Sequence, residues 1–367
     1  MRKSLIVDGM ASSCYFRTSI GGDGRKALVQ ITERCNLHCA HCFVSSTKEG
    51  MDIPLAVMMD EVVPRLIEAR VERITLTGGE PWVHPDFMEM CRRITAAGIP
   101  VGVCTNATQT TDDDIAELAA LGGVHINVSF DGFRAETHGK FRGDRASFAT
   151  TVATTRKFAE AGLLQGLLST PNALTEPEEY ADLCAFAVEI GAKYVLMNPL
   201  SAFGRGVKSQ GRMAADADKM RAIQAVTARF ADEVELVNIR FPNDRKPLAG
   251  CDAGKLIYVY ADGQTAVCPY LSFAARSPFS PYRGDDSAFM VGSIFDHSVA
   301  AGLDGYDLAG TLAMGGNDTC GACSMSSDCG KGCPAAVIAR GEPIGALDVE
   351  QCPVAPDPPL LTIGRRR

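Results

Sequence analysis

Thr32-Glu33-Arg34-Cys35-Asn36-Leu37-His38-Cys39-Ala40-His41-Cys42 places three cysteines at a C-x3-C-x2-C spacing, directly after the apolar run Ala27-Leu28-Val29-Gln30-Ile31. The run reads as a strand, so the thiols sit in the loop that follows it. Three thiolates within eight residues can surround one metal centre if the backbone turns tightly, and Asn36 with no β-branched residue between the cysteines permits that. Soft thiolate ligands select zinc or an iron–sulfur cluster. Structural zinc takes four protein ligands, which His38 or His41 could complete. A [4Fe–4S] cubane on three cysteines keeps one iron open to an outside ligand. Both readings stand on this loop alone.

Outward from the loop, strand and helix periods alternate. Strands are expected at Lys26–Glu33, Arg73–Thr77, Pro100–Thr105, Val124–Phe130, Leu163–Thr170 and Lys193–Asn198. Helices are expected at Leu55–Arg70, Asp86–Ala97, Thr111–Leu121, Ser147–Ala161, Thr175–Ile190 and Ala214–Phe230. Thr111 or Asp112 is the expected N-cap of the third helix, and Thr175-Glu176-Pro177-Glu178 a capped start with proline near N1. Six βα units predict an α/β fold, a partial (β/α)6 TIM-like barrel with its chemistry at the C-terminal strand ends. Those ends carry the cysteine loop, then Thr77-Gly78-Gly79-Glu80-Pro81, Thr105-Asn106-Ala107, Ser129-Phe130-Asp131-Gly132 and Asn198 to Gly206.

The 367 residues are 46% hydrophobic and 22% charged, enough for a large core. A net charge of -8 without a basic tract argues against a nucleic-acid partner. No apolar run is long enough to cross a membrane and the start is too short for a signal peptide, so a cytoplasmic protein without membrane contact is expected. In that compartment the fourteen cysteines point to metal or redox chemistry rather than disulfides. Three lie in the opening loop and seven after position 250. Residues 1–25, with the turn Gly21-Gly22-Asp23-Gly24, read as a lead-in too short for a separate leader-peptide-binding domain. Residues 26–245 read as the barrel and 246–367 as a cysteine-rich extension. In the extension, short alternating runs flank the hairpin dipeptide Asp262-Gly263. Hydrophobic periodicity is sparse there, so metal is expected to carry much of its folding.

The C-x3-C-x2-C loop, Gly78-Gly79-Glu80-Pro81 and the partial barrel together resemble the radical SAM superfamily. The tail, Cys251-x11-Gly263-x4-Cys268, then Cys320-x2-Cys323-x5-Cys329-x3-Cys333 and Cys352, resembles its seven-cysteine SPASM extension. The resemblance spans about residues 26–355. It implies three [4Fe–4S] clusters and S-adenosyl-L-methionine (SAM), whose reductive cleavage yields a 5′-deoxyadenosyl radical that abstracts hydrogen from an unactivated C–H bond. Cys35, Cys39 and Cys42 would hold the SAM cluster, with His38 and His41 in its surroundings. Gly78, Gly79 and Glu80 would meet the methionyl ammonium, Ser129 the ribose, and Arg142 the carboxylate, with Asn106 and the backbone of Leu196 and Met197 nearby. Cys251, Cys268 and Cys333 would hold an inner auxiliary cluster. Cys320, Cys323, Cys329 and Cys352 would hold an outer one. The inner set has three cysteines, leaving an open iron or a ligand such as Asp252. Sulfatase-maturating members carry an aspartate where this chain has Pro269, which argues against that activity.

Each contact has a plainer alternative: a Gly-rich turn for Gly78-Gly79, a strand-end serine for Ser129, a solvated arginine for Arg142, a zinc ribbon for the tail. Cys91 and Cys184 lie on apolar helix faces and read as core thiols; Cys14 has no context. Cys104 shares a strand face with Asn106. It is either a packing residue or a thiol that returns a hydrogen atom to a substrate radical. The lack of a leader-binding domain favours oxidation or epimerisation of a small natural-product intermediate such as a sugar or aminocyclitol. The alternatives are crosslinking or epimerisation of a ribosomal peptide with a separate recognition partner, and a non-catalytic iron–sulfur or zinc scaffold. A flavodoxin or ferredoxin is the expected electron donor.

Overall fold

The structure, a computed structural model, describes residues 22–243, 245–297 and 299–361. Cys14 and most of the lead-in lie outside them. Among the described residues ten strands form one sheet: β1 (Arg25–Thr32), β2 (Val71–Gly78), β3 (Val101–Thr105), β4 (Val124–Ser129), β5 (Leu164–Ser169), β6 (Tyr194–Met197), β7 (Glu235–Asn238), β8 (Leu256–Val259), β9 (Gln264–Ala266) and β10 (Met290–Ser293). Their order is β10-β9-β8-β1-β2-β3-β4-β5-β6-β7. β1 to β7 are parallel to their neighbours. β1 is buried along nearly its whole length, as a parallel strand covered on both faces must be. The α/β partial barrel expected from the βα repeats is the architecture found.

Helices Phe87–Ala96, Asp112–Leu121, Ser147–Glu160, Pro177–Glu189 and Ala217–Thr227 return the chain between strands. Thr111 caps the second of these in a capping box with Asp114. Pro177 is at N1 as expected, but Glu176 makes no side-chain cap bond. Thr175 is drawn inward instead, donating to the Asp131 carbonyl and to Asn172 Oδ1.

Three features were not foreseen. Helix Ala217–Thr227, the last of the expected six, leads into a further strand, β7, which is a half-buried four-residue edge. Helix Ala135–Arg142 follows β4 and buries His138, Phe141 and Arg142. The hairpin expected at Asp262-Gly263 does form, as β8 and β9, yet β8 also pairs parallel with β1, Lys26 opposite Leu256 and Val29 opposite Val259. The sheet therefore runs unbroken past residue 245. Ile257, Leu271, Phe289 and Ile338 of the tail belong to the same core cluster as Val29 and Leu76. Each such buried side chain contributes about 1.5–3 kcal/mol, so apolar burial holds the tail together beyond what its sparse periodicity suggested. Among the described residues no helix is long and apolar enough to cross a membrane.

Candidate functional site

The C-terminal ends of β1 to β6 border one cavity, to whose lining the tail also contributes. The loop after β1 is built first by local bonds. Thr32 Oγ1 and Arg34 both bind Asp52, and Cys35 N donates to Thr47 O at 2.7 Å. The loop after β2 is then laid on it: Gly79 N donates to Thr32 O at 2.8 Å and Glu80 N to Arg34 O at 2.9 Å. A Cβ on Gly79 would lie 1.9 Å from Arg34 O, and one on Gly78, at φ +142°, 2.2 Å from Thr32 O. The pair of glycines is thus required by contact between two backbones.

Two helices clamp the loop from outside. Ala40 N donates to Phe141 O. Arg205 Nε donates to Cys39 O at 2.8 Å, and its Nη1 to Ser46 O at 2.6 Å. Ser209 Oγ donates to Ala40 O. Gly204, at φ +48°, sits so close that a Cβ would be 2.4 Å from Phe43 O. The Gly204-Arg205 turn after β6 thus grips the cysteine loop.

Cys35, Cys39 and Cys42 all line the cavity. Leu37 N donates to Cys35 Sγ at 3.4 Å. Burial pushes the Cys35 thiol up to about 11 and Cys39 to about 12, while Arg142 pulls both down. Among the described residues no three His, Cys, Asp or Glu side chains close on one point as they would round a single ion. The donor set still fits a thiolate-bound cluster: three thiols on one wall, an amide bond to sulfur and a nearby guanidinium. Loading such a centre displaces the thiol protons.

Gly78, Gly79, Glu80, Asn106, Ser129, Arg142 and Leu196, the candidate SAM contacts, all line the same cavity, as does Cys104. The Met197 side chain packs into the core. Glu80 is almost wholly buried. Its Oε1 accepts from Thr105 Oγ1 at 2.6 Å and its Oε2 from Asn106 N at 2.8 Å. Burial raises its carboxyl to about 7 against those two bonds. The Asn106 side chain supports the cysteine loop, donating to Asn36 Oδ1 at 3.0 Å. Arg142 is not a solvated arginine: it is buried, and its Nε lies 2.8 Å from Asp131 Oδ2. His41 Nε2 is 3.6 Å from the same oxygen, and its ring stacks on Phe141 with centroids 4.7 Å apart. Burial lowers His41 to about 4, so it is neutral. His38 is exposed. Burial raises the Cys104 thiol to about 12. Cys91 and Cys184 are fully buried core residues.

Sequence reading singled out neither Asp131 nor the tail's share of the cavity. Asp131, in the Asp-Gly pair after β4, also accepts from Thr170 N at 2.7 Å. Tyr258, Pro269, Tyr270 and Phe273 of the tail line the cavity, Phe273 edge-on to Phe43 and Tyr270 edge-on to Phe203. Pro269 stands at the first position of helix Pro269–Ala275, so the residue that displaces the expected aspartate starts the helix that walls the cavity.

In the tail, Cys333 lies within electrostatic reach of Cys251, and Tyr306 within reach of Cys251 and Cys268. Cys352 neighbours Cys320. Cys329 Sγ accepts from Leu248 N at 3.3 Å and Lys331 N at 3.4 Å. Cys323 N donates to Cys320 O.

Residues 29–187 match the family model of the Radical SAM superfamily. The chain is 28% identical over 246 residues to the antilisterial bacteriocin subtilosin biosynthesis protein AlbA of Bacillus subtilis, covering 66% of this chain and 54% of that one. It is 26% identical over 332 residues to the mycofactocin maturase MftC of Mycolicibacterium smegmatis, covering 88% and 81%. It is 31% identical over 195 residues to an AdoMet-dependent heme synthase of Methanosarcina barkeri, covering 52% and 55%. The chain thus spans about half the length of AlbA and of the heme synthase. The fold is similar to that of Streptococcus suis SuiB bound to S-adenosylmethionine, with a TM-score of 0.69, 16% identity, and 89% and 77% of the two chains covered.

Proposed function

The chain belongs to the radical SAM superfamily, in its SPASM-extended branch, and we propose that it modifies a ribosomally made peptide at an apolar side chain. When bound, a [4Fe–4S] cluster and SAM supply the electron and the hydrogen-abstracting 5′-deoxyadenosyl group. Cys35, Cys39 and Cys42 hold that cluster. Glu80, kept in place by Thr105 and Asn106, presents an acceptor for the methionyl ammonium. Arg142, oriented by Asp131, presents guanidinium N–H groups to the carboxylate. Ser129 and Leu196 border the nucleoside. Cys251, Cys268 and Cys333 hold an inner auxiliary cluster, and Cys320, Cys323, Cys329 and Cys352 an outer one. A redox protein such as flavodoxin or ferredoxin supplies the electrons.

On the sequence alone a sugar or aminocyclitol is favoured. Two findings favour the peptide. AlbA and MftC, a bacteriocin biosynthesis protein and a maturase, are relatives. The cavity's composition is the observation that carries the reading. Beyond the candidate SAM contacts its wall carries an aromatic and apolar face, Phe43, Val44, Phe203, Tyr258, Tyr270 and Phe273, beside polar residues that include Ser169, Thr170, Asn198 and Ser201. An apolar or aromatic side chain gains from burial.

The test is anaerobic reconstitution with iron and sulfide, then dithionite, SAM and a short precursor peptide encoded beside the gene. Formation of 5′-deoxyadenosine and a mass change in the peptide are expected. Iron-replete protein that cleaves no SAM overturns the radical chemistry. Cleavage with a mass change only in sugars or aminocyclitols overturns the peptide.

A further inference from the structure

Arg240 follows β7 and is buried, 6% exposed, with a left-handed backbone at φ +52°. A non-glycine residue in that conformation persists only where its surroundings fix it. Its surroundings are two walls of the molecule. Towards the cavity, Nη2 donates to Asn198 Oδ1 at 3.3 Å, to Pro199 O at 3.1 Å and to Ser201 Oγ. Asn198 Nδ2 in turn donates to the Tyr270 hydroxyl, and the guanidinium lies 5.7 Å from the Tyr270 ring centroid. Asn198, Pro199, Ser201 and Tyr270 all line the cavity; Arg240 stands behind them.

Towards the tail, Nη1 is 3.4 Å from Glu350 Oε2, and Glu350 is shared with Arg340 at 3.7 Å. Glu350 belongs to a segment that touches two candidate cluster ligands. Asp348 Oδ2 accepts from Cys333 N at 2.9 Å, and Asp348 Oδ1 accepts from Glu350 N at 3.2 Å. The Asp348 carbonyl accepts from Cys352 N at 2.9 Å. One guanidinium therefore joins the rim after β6 to the segment on which Cys333 and Cys352 are hung.

We propose that Arg240 is a positioning residue that lets the cysteine-rich tail set the substrate wall of the cavity, through Glu350 on one side and Asn198 and Ser201 on the other. Its planar fork serves because one terminal nitrogen bonds the rim acceptors while the other pairs with a carboxylate, which a lysine's single nitrogen cannot do. The coupling concerns the wall and holds whether the substrate is a peptide or a small molecule.

Hydrogen-exchange mass spectrometry on the reconstituted holoprotein tests it without any substrate. In Arg240→Gln, peptides covering 196–203 and 269–275 are expected to exchange about fivefold faster or more, the scale of one or two lost net hydrogen bonds. Glu350→Gln, a milder change at a partly exposed residue, should accelerate 196–203 as well. The double variant should add little, because the two residues act as one unit. Peptides covering 35–42 and the iron content should not change. Arg240→Lys keeps the pairing with Glu350 but not the fork. It should hold the melting temperature within about 2 °C while 196–203 still exchanges faster, which a purely structural role would not produce. Unchanged exchange at 196–203 in Arg240→Gln and Glu350→Gln, or additive effects of the two, overturns the proposal.

Discussion

Replacing Asp131 by asparagine probes the electrostatic centre of the cavity. Asp131 is 1% exposed and Arg142 7%, and the two are paired at 2.8 Å. The substitution keeps size and shape and removes one charge, leaving the Arg142 guanidinium buried without its counter-ion. Breaking a buried pair from one side costs about 3–5 kcal/mol, a large share of a typical stability of about 5–15 kcal/mol. The loss is larger than that of an exposed pair such as Arg156–Glu189, worth about 0.2–1 kcal/mol. Arg142→Met alone should also destabilise, since it strands a buried carboxylate. The double variant should recover about 2 kcal/mol or more relative to the sum of the singles. The assay is urea unfolding at pH 7.5 for the four proteins, followed by fluorescence and by circular dichroism. pH separates the contribution further. Burial alone would raise the Asp131 carboxyl, but the Arg142 guanidinium outweighs it and holds it below the usual carboxylate range. A depressed acid contributes stability above its unfolded value of about 3.9, lost as pH falls through the folded value. The wild-type advantage over Asp131→Asn should therefore be full at neutral pH and vanish only below about pH 4. A loss under about 1 kcal/mol at pH 7.5, or singles whose effects simply add, would refute the reasoning.

Further predictions follow from Glu80, Gly204 and Cys104. Because burial raises Glu80 to about 7, its charge develops between about pH 6 and 8; SAM should bind more tightly at the upper end, and Glu80→Gln should flatten that dependence in equilibrium dialysis. The same raised value means that Glu80 costs folding stability as pH rises towards 7, so Glu80→Gln should gain in relative stability over that range. Gly204→Ala combines φ +48° with a 2.4 Å approach to Phe43 O; it should displace the cysteine loop and lower the iron bound per chain, while retention of full iron and SAM cleavage would remove the clamp argument. Cys104→Ala should still yield 5′-deoxyadenosine but no product if its protonated thiol returns a hydrogen atom, and an unchanged product yield would assign it to packing.

The strands β1 to β6 were legible to within two residues at each end because parallel strands in a barrel are nearly continuous apolar runs bounded by turn residues. β7 was missed because four half-buried residues at an edge carry little periodicity. Helix Ala135–Arg142 was missed for a related reason: it contains Gly139 and Thr137, and what it buries includes His138 and Arg142, which look like surface residues in sequence. Six of the seven candidate SAM contacts were legible as strand-end residues, and Arg142 only through the family resemblance; all seven line one cavity, but their hydrogen-bond partners were not legible. Asn106 reads as a ligand contact, yet its side chain braces Asn36.

By itself the sequence determined the three-thiol loop, the glycine-rich turn beside it, the βα repeat and the cysteine spacing of the tail, since each is a local pattern of residue type and period. Only the tertiary structure decided that Arg142 is matched by Asp131, that Arg205 reaches back 166 residues to the Cys39 carbonyl, and that β8 closes beside β1. It also decided that Tyr258, Tyr270 and Phe273 complete the cavity, and that Arg240 ties its wall to Glu350, 110 residues on. These pairings depend on where the sheet's twist and the packing of its helices bring distant segments together. No spacing along the chain encodes that distance.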